Sequence, residues 1–290
     1  KSPTVYSEDL IAEIFENTGI NYDFDASLNG IVVNGLIPYL TNCREALQQT
    51  LFYIGAYATC ARSNLVKILP MPTTDVNDYE LTSADKGINS PLTLRKMVTG
   101  AEVKQLSWEI NKGASAQLYN ESKSNGVYVI PLANNIVDAV SGFDTHTGTA
   151  TYSVTLNRGF YCEVTVTSPG TVILTRFSAY NPIGSIVGVY NPSLPATAKE
   201  NIIVIDDALL VNANPPVGAI SASTIAQRVY DYYQRRYVQK TKLFASLIQV
   251  GDCVLVNLTS PSQLTGIVEK MTTNLAGGFV SNVEIIGDIV

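Results

Sequence analysis

The sequence predicts an α+β chain, β-rich and multidomain, in which small barrel-like sheets alternate with α/β units. Apolar residues recur at helical spacing in only three segments, two before residue 55 and one after residue 220. Elsewhere, chiefly from about residue 98 to 177 and from 240 to 286, the apolar period is two, broken by Gly, Asn, Ser or Pro turns. Prolines at Pro70, Pro72 and Pro215-Pro216 punctuate these patterns. A chain of 290 residues is long enough for two or three compact units with buried cores.

Residues 1–72 read as an α/β unit of helix, strand, helix and hairpin. Ser7 followed by Glu8 and Asp9 marks a helix start, with a capping hydroxyl and acids that complement the helix dipole. Leu10, Ile11, Ile14 and Phe15 share one face, and Gly19 is placed to end the helix. An aspartate-rich turn, Tyr22 to Asp25, precedes a short apolar segment from Ile31 to Ile37. In the second helix Thr41 or Asn42 is the cap, and Cys43, Leu47, Leu51 and Ile54 recur every three to four residues. After Gly55, Tyr57 to Ala61 and Leu65 to Leu69 read as strands turning at Arg62-Ser63-Asn64.

Residues 73–97 read as a connection, and residues 98–200 as an antiparallel β-rich domain. Its strands are Val103 to Ile110, Val127 to Ile130, Ala150 to Leu156, Tyr161 to Val166 and Thr171 to Phe177. Asn181 to Pro195, rich in Pro, Gly and Asn, is expected to be an exposed loop. The last unit, residues 201–290, opens with a strand from Ile202 to Val211, broken by Asp206-Asp207. A helix capped by Ser221 or Ser223 follows. Four strands end the chain, Lys240 to Ile248, Cys253 to Leu258, Leu264 to Thr272 and Phe279 to Ile286. Their spacing predicts a small barrel-like unit.

Composition narrows the function. Charged residues make up 15% of the chain, against about 25% in a typical soluble domain. Thr, Ser, Asn and 16 Tyr must therefore cover much of the surface. Tyr suits protein contact surfaces, and strands favour it as well; both readings stand. A net charge of −6 argues against a surface that grips phosphates. Cys43, Cys60, Cys162 and Cys253 show no metal or disulfide spacing, and are expected to be reduced, buried thiols of cytoplasmic origin. The opening residues do not read as a signal peptide. Leu47 to Ala61, the longest uncharged apolar stretch, is too short and too polar to span a bilayer.

Reactive groups do not converge in the sequence. His146, the single histidine, lies among threonines with no partner for a triad or metal cluster. The nucleophile elbow, the P-loop, the HExxH and the GxGxxG signatures are absent. Asp23, Asp25 and Ser27 begin like a calcium loop, but Leu28 stands where the turn needs Gly and Asn34 where a Glu belongs. Asp206-Asp207 could serve a glycosidase only if neighbours on a strand faced the same way. Arg228, Arg235, Arg236, Lys240 and Lys242 interleave with tyrosines. Such a stretch can hold a nucleic-acid strand or anchor a protein interface, and on an acidic chain the interface is favoured. Arg228, Tyr232, Tyr233, Arg235 and Arg236 are its candidate residues. No catalytic, cofactor-binding or metal residue is assigned.

Three stretches together resemble a known family. They are Asn34-Gly35-Leu36-Ile37-Pro38 with Cys43 to Gln49 and Ile54-Gly55-Ala56; Asp207-Ala208 with Arg228 to Arg236; and Val250-Gly251-Asp252 with Leu264 to Met271 and Leu275 to Phe279. Their order resembles that of baseplate hub and tail proteins of phages and prophages of Gram-positive bacteria. The wider hub family includes contractile tails and type VI secretion spikes. The resemblance covers both ends of the chain well and residues 98–200 loosely. It implies a non-enzymatic ring, trimeric, at the tip of a tail tube, touching copies of itself and other tail proteins. Its place would be the virion tail, or the bacterial cytoplasm during assembly. It implies no cofactor, no membrane segment and no sequence-specific nucleic-acid binding. Members usually carry a barrel before the first helix, whereas this chain starts almost at that helix, so a trimmed piece is expected. Two other readings are a tail-associated cell-wall hydrolase and a carbohydrate- or receptor-binding module built on residues 98–200.

Overall fold

A computed structural model describes residues 5–16, 18–35, 37, 41–60, 63–73, 77–87, 90–132, 136–137, 143–144, 148–157, 161–195, 200–244, 247–258, 262–274 and 280–290. For residues 108–116, 136–137, 143–144, 155–157 and 176–182 the backbone alone is described. Strands hold 50% of the chain and helices 17%, so the β-rich α+β class stands.

The chain runs through β1 (Val5–Tyr6), α1 (Ser7–Phe15), β2 (Tyr22–Phe24), β3 (Val32–Val33) and α2 (Cys43–Ile54). Next come β4 (Ala56–Thr59), β5 (Val66–Pro70), β6 (Tyr79–Leu81), β7 (Leu92–Leu94) and the long β8 (Gly100–Lys123). β9 (Gly126–Pro131), β10 (Ile136–Val137), β11 (Phe143–Asp144), β12 (Thr151–Asn157) and β13 (Tyr161–Ser168) lead to β14 (Gly170–Tyr190). The last elements are β15 (Ile202–Ile205), α3 (Ala222–Gln234), β16 (Tyr237–Phe244), β17 (Cys253–Asn257), β18 (Gln263–Asn274) and β19 (Val280–Ile289).

Local chemistry explains the helices. Asn42 Oδ1 accepts the Glu45 N–H at 2.9 Å to cap α2, and Gly55, at φ +74°, turns the chain out of it. α1 begins differently from the sequence expectation. Its N-cap is Tyr6, without a side-chain bond, while Ser7 is buried and donates to Leu28 O at 2.6 Å. Glu8 instead accepts the Gly30 N–H at 2.9 Å. Helix α1 ends at Phe15, where Thr18 Oγ1 donates to the freed Phe15 carbonyl at 2.7 Å, well before Gly19.

The first core draws on both halves of the chain. Ile11 of α1, Ile54 of α2, Ile68 of β5, Val103 of β8, Leu210 and Ile225 of α3 meet there, none more than 4% exposed. Tyr53, 1% exposed, binds the parts together, because its hydroxyl accepts the Ile220 N–H at 2.9 Å and donates to Val32 O at 3.1 Å. The second core lies on a six-stranded sheet in the order β6-β17-β18-β19-β16-β7, and includes Leu243, Val254, Leu264 and Ile285. Residues 73–97 thus supply both edge strands, β6 and β7. The expected small barrel is an open sheet, and no closed barrel is present among the described residues. Edge strands of three residues are too short to pair with each other and complete the stagger that closure demands.

β8 and β14 form an antiparallel ribbon from Gly100↔Tyr190 to Lys123↔Gly170. At about 3.4 Å per residue over β14 it is roughly 70 Å long. Its near end enters the first core through Ala101 and Val103, and its far end carries a third core. There Val172 and Leu174 of β14 pack against Ile130, Cys162, Val164 and Val166 of the β12-β13-β9 sheet. Between the ends, Gln105 Nε2 donates to Ser185 Oγ at 3.1 Å where the first core stops. Asn181 to Tyr190, expected to be a loop, is therefore strand. Cys162 and Cys253 are buried as expected, and burial pushes the Cys162 thiol up to about 12; Cys43 and Cys60 are exposed.

Replacing Tyr53 with Phe leaves the partly buried Ile220 N–H without its acceptor, which costs about 1–3 kcal/mol. The urea midpoint of Tyr53→Phe is expected to fall by that energy divided by an unchanged slope. An unaltered midpoint would show that Tyr53 does not join the parts of this core.

Candidate functional site

The five residues singled out in the sequence come together where α3 leaves the first core and meets the six-stranded sheet. Ser221 caps α3, accepting the Thr224 N–H at 3.2 Å, and Ala222, Ile225, Ala226 and Val229 bury one face at helical spacing. Arg228 follows from that phase. It lies beside the buried stripe, so its guanidinium turns inward, donating to the Phe52 and Tyr53 carbonyls in the last turn of α2. Those carbonyls have no partner within the helix, and the negative end of the helix dipole suits a cation. Burial lowers the Arg228 pKa, an effect the Tyr53 hydroxyl partly offsets; an arginine remains charged regardless. Gly55 is required here twice over, for its positive φ and because a Cβ would collide with the Arg228 guanidinium.

One turn further along, Tyr232 donates to Glu269 Oε1 of β18 at 2.8 Å. Glu269 also holds Arg95 at 2.5 Å, and Arg95 reaches Glu284 of β19 at 3.3 Å. The backbones of Arg95 and Arg236 bond, N–H to carbonyl, at 2.8 Å, and Arg236 Nε donates to Arg95 O at 3.2 Å. Tyr233 meets Tyr232 edge to face, with ring centroids 5.4 Å apart, and packs on the first core. The Arg235 guanidinium carbon lies 5.9 Å from the centre of the Tyr232 ring. All five side chains are partly exposed, and all five are engaged within the chain. They form a joint between α3 and the sheet.

Beside this joint lies a cleft of about 710 Å³, lined by Met71, Val189, Thr224, Arg228, Tyr232 and Arg235 among others. A second cleft, of about 570 Å³, has Asp9, Glu13 and Glu16 around Phe15, Ile20 and Tyr22. Asp231, Ser223 and Thr224 also line the larger cleft, but Asp231 accepts from Gln227 Nε2 at 2.7 Å while the two hydroxyls bond Ser221 Oγ at 2.9 and 2.8 Å. Among the described residues no three His, Cys, Asp or Glu side chains converge as a metal site. Asp206 and Asp207 lie just beyond β15, which ends at Ile205, and the Asp207 carbonyl accepts from Gln49 Nε2 at 3.0 Å. Asp25 caps the short turn Ala26–Leu28, accepting from Ser27 N at 2.8 Å and Ser27 Oγ at 2.6 Å. His146 lies outside the described residues. Sequence reasoning missed Arg95 and Glu269. A Glu directly after the apolar pair Ile267-Val268 was the available signal, because a charge entering a sheet core calls for a partner.

Burial acts to raise the Glu269 pKa, but the hydrogen bonds from Arg95 and Tyr232 outweigh it and hold the carboxyl below its usual range. A group with a lowered folded pKa contributes stability above its unfolded value, about 4.3 for Glu, and loses it as pH falls through the folded value. Glu269→Gln is expected to be less stable than the parent at pH 7, by on the order of 1 kcal/mol after screening at this partly exposed site. The gap should close as pH falls below about 4. Thermal melts stepped through pH measure this, and a gap undiminished at pH 3 would remove the charged network from the account.

No protein-family model and no curated protein matches the sequence. Solved structures do match its fold. The 43 kDa tail protein of prophage MuSo2 from Shewanella oneidensis aligns with 97% of this chain at 9% identity and a TM-score of 0.52. A tail protein from Neisseria meningitidis MC58 aligns with 99% at 7% identity and a TM-score of 0.53. Prophage tail protein gp18 from Listeria monocytogenes EGD-e aligns with 99% at 10% identity and a TM-score of 0.47. The chain spans 66%, 68% and 66% of those proteins respectively, about two thirds of their length. At these identities the likeness is one of fold.

Proposed function

We propose that this chain is a structural subunit of a phage or prophage tail, building the hub ring at the tip of the tail tube through protein–protein contacts. The observation that carries this reading is the fold shared with the Shewanella and Neisseria tail proteins over 97% and 99% of the chain. Shared fold alone does not fix function, and the chemistry of the chain supports the same conclusion. Part of the basic stretch near α3 is held internally, with Arg228 on helix carbonyls and Arg236 on the Arg95 carbonyl, while Lys240, 3.6 Å from Glu284, and Lys242 stay exposed. Among the described residues that thins the row of cations a phosphate backbone would need. Among the described residues, no carboxylate lining either cleft is hydrogen-bonded to a hydroxyl. The work left to such a molecule is contact with copies of itself and with other tail proteins, in the virion and in the bacterial cytoplasm during assembly.

The test is the solution mass across concentration, with negative-stain images. Particles with three times the 31.3 kDa chain mass and a central hole are expected. A single chain at every concentration would overturn the ring. Turnover of peptidoglycan would make the chain a cell-wall hydrolase, and selective binding on a glycan array would make it a receptor-binding module.

A further inference from the structure

The outer face of the six-stranded sheet is closed at one end and open at the other. Near the bond from Tyr232 to Glu269 it is closed. Val238, Ile286 and Ile267 stand there in register across β16, β19 and β18, none more than 4% exposed. Residues two apart on a strand share a face. Further along β16, Lys240, Lys242 and Phe244 are therefore on the same side, and all three are exposed. Lys240 stands opposite Glu284 of β19, and Lys270 of β18 flanks Glu284 from the other side. The reverse of these strands carries the second core, through Leu243, Val283 and Ile285. Three lysines thus stand against one glutamate, which is already 3.3 Å from Arg95. Among the described residues no ion pair reaches Lys242. Phe244, 54% exposed, projects beside these cations.

The cleft at α1 has the opposite character. Asp9, Glu13 and Glu16 stand around Phe15, Ile20 and Tyr22, and no Lys or Arg lines its 570 Å³. Two of these acids work against the helix that carries them. Asp9 and Glu13 are four residues apart and Glu13 and Glu16 three, so like charges are neighbours on the helix surface. Glu13 and Glu16 also lie at the C-terminal end of α1, where the helix dipole disfavours negative charge. Among the described residues no cation pairs with any of the three. Cations arriving from outside the chain offset both penalties.

We infer that these two surfaces meet between copies of the chain. The open end of the sheet on one copy docks on the α1 cleft of the next, with Phe244 over the apolar floor and the lysines facing the acids. Both surfaces are open in the single chain. The sheet offers cations and a projecting ring, and the cleft offers carboxylates and an apolar floor. Complementary charge of this kind fixes the register of a contact. Two different patches joined head to tail close into a ring when the rotation allows. The inference rests on the ring reading above and names the surfaces that build it.

Charge reversal in the full chain tests it, read as mass by sedimentation at low salt. Glu13→Lys is expected to melt no lower than the parent, and Lys242→Glu to match it. Each alone should weaken self-association roughly tenfold or more. One chain carrying both substitutions is expected to recover the parent's mass, because opposite charges face each other again. Phe244→Thr leaves every charge in place and should weaken assembly as well. Val127→Lys, at a 60% exposed valine on β9, is expected to leave the mass unaltered. If the parent assembles and the reversals keep its mass, this contact is wrong and the ring survives. If each reversal weakens assembly and the pair does not restore it, the two surfaces do not face each other, and the pairing falls while the ring stands. Loss of retention on single-stranded DNA by Lys242→Glu, with the mass unchanged, would give the face to nucleic acid instead. If the parent is a single chain at every concentration, ring and contact fall together.

Discussion

The parts of the first core are tied together at one partly buried guanidinium. Arg228 sits over the end of α2, where the Phe52 and Tyr53 carbonyls have no helical partner. A charge drawn partly out of water destabilises the fold unless it finds hydrogen bonds. Here the cation and the orphan carbonyls answer each other's need, and two segments far apart in sequence are fixed together. Gly55 is the condition for this contact, since any side chain would occupy the guanidinium's place. The Tyr53 hydroxyl, one residue from the end of α2, then ties the loops at Val32 and Ile220 to the same point.

From that anchor the rest of the molecule extends in two directions. Towards the C-terminus, Tyr232 and the turn at Arg236 couple α3 to Glu269 and Arg95, so the six-stranded sheet is held by charge-assisted bonds as well as by chain continuity. Towards the middle of the chain, β8 and β14 leave the core as a two-stranded ribbon. Such a ribbon is marginal by itself. It is supported at both ends, by Ala101 and Val103 near the body and by Val172 and Leu174 at the tip, and between them β10 and β11 pair with β14.

Helices were legible in the sequence because their signals are local. Asn42 and Gly55 bracket α2, and Ser221 starts α3, as spacing and capping chemistry require. Ser7 misled because its hydroxyl is drawn to Leu28 O, a partner 21 residues away that no local pattern contains. β6 and β7 were hidden for a similar reason: three-residue strands carry no period of their own and exist through pairing with β17 and β16. The stretch Asn181 to Tyr190 carried loop residues, yet each proline or glycine in it falls where a strand edge tolerates it. At the joint, composition singled out the Arg and Tyr residues of α3, while their partners Arg95 and Glu269 depend on tertiary contact.

The abundance of tyrosine on a weakly charged chain admitted two readings, and individual residues now separate them. Tyr53, Tyr152, Tyr190 and Tyr232 each donate a hydroxyl to a carbonyl or carboxylate elsewhere in the chain. These four act as internal ties that let bulky rings enter packed regions with their polar ends satisfied. They are not what an assembly would recognise from outside. What remains unexplained by the inner architecture is the long uncharged stretch between Arg176 and Lys199. A monomer gains nothing by leaving such a stretch unguarded, since solubility favours charge there. Part of the chain's low charge thus lies along β14, where among the described strands only β8 pairs with Ile183 to Val189.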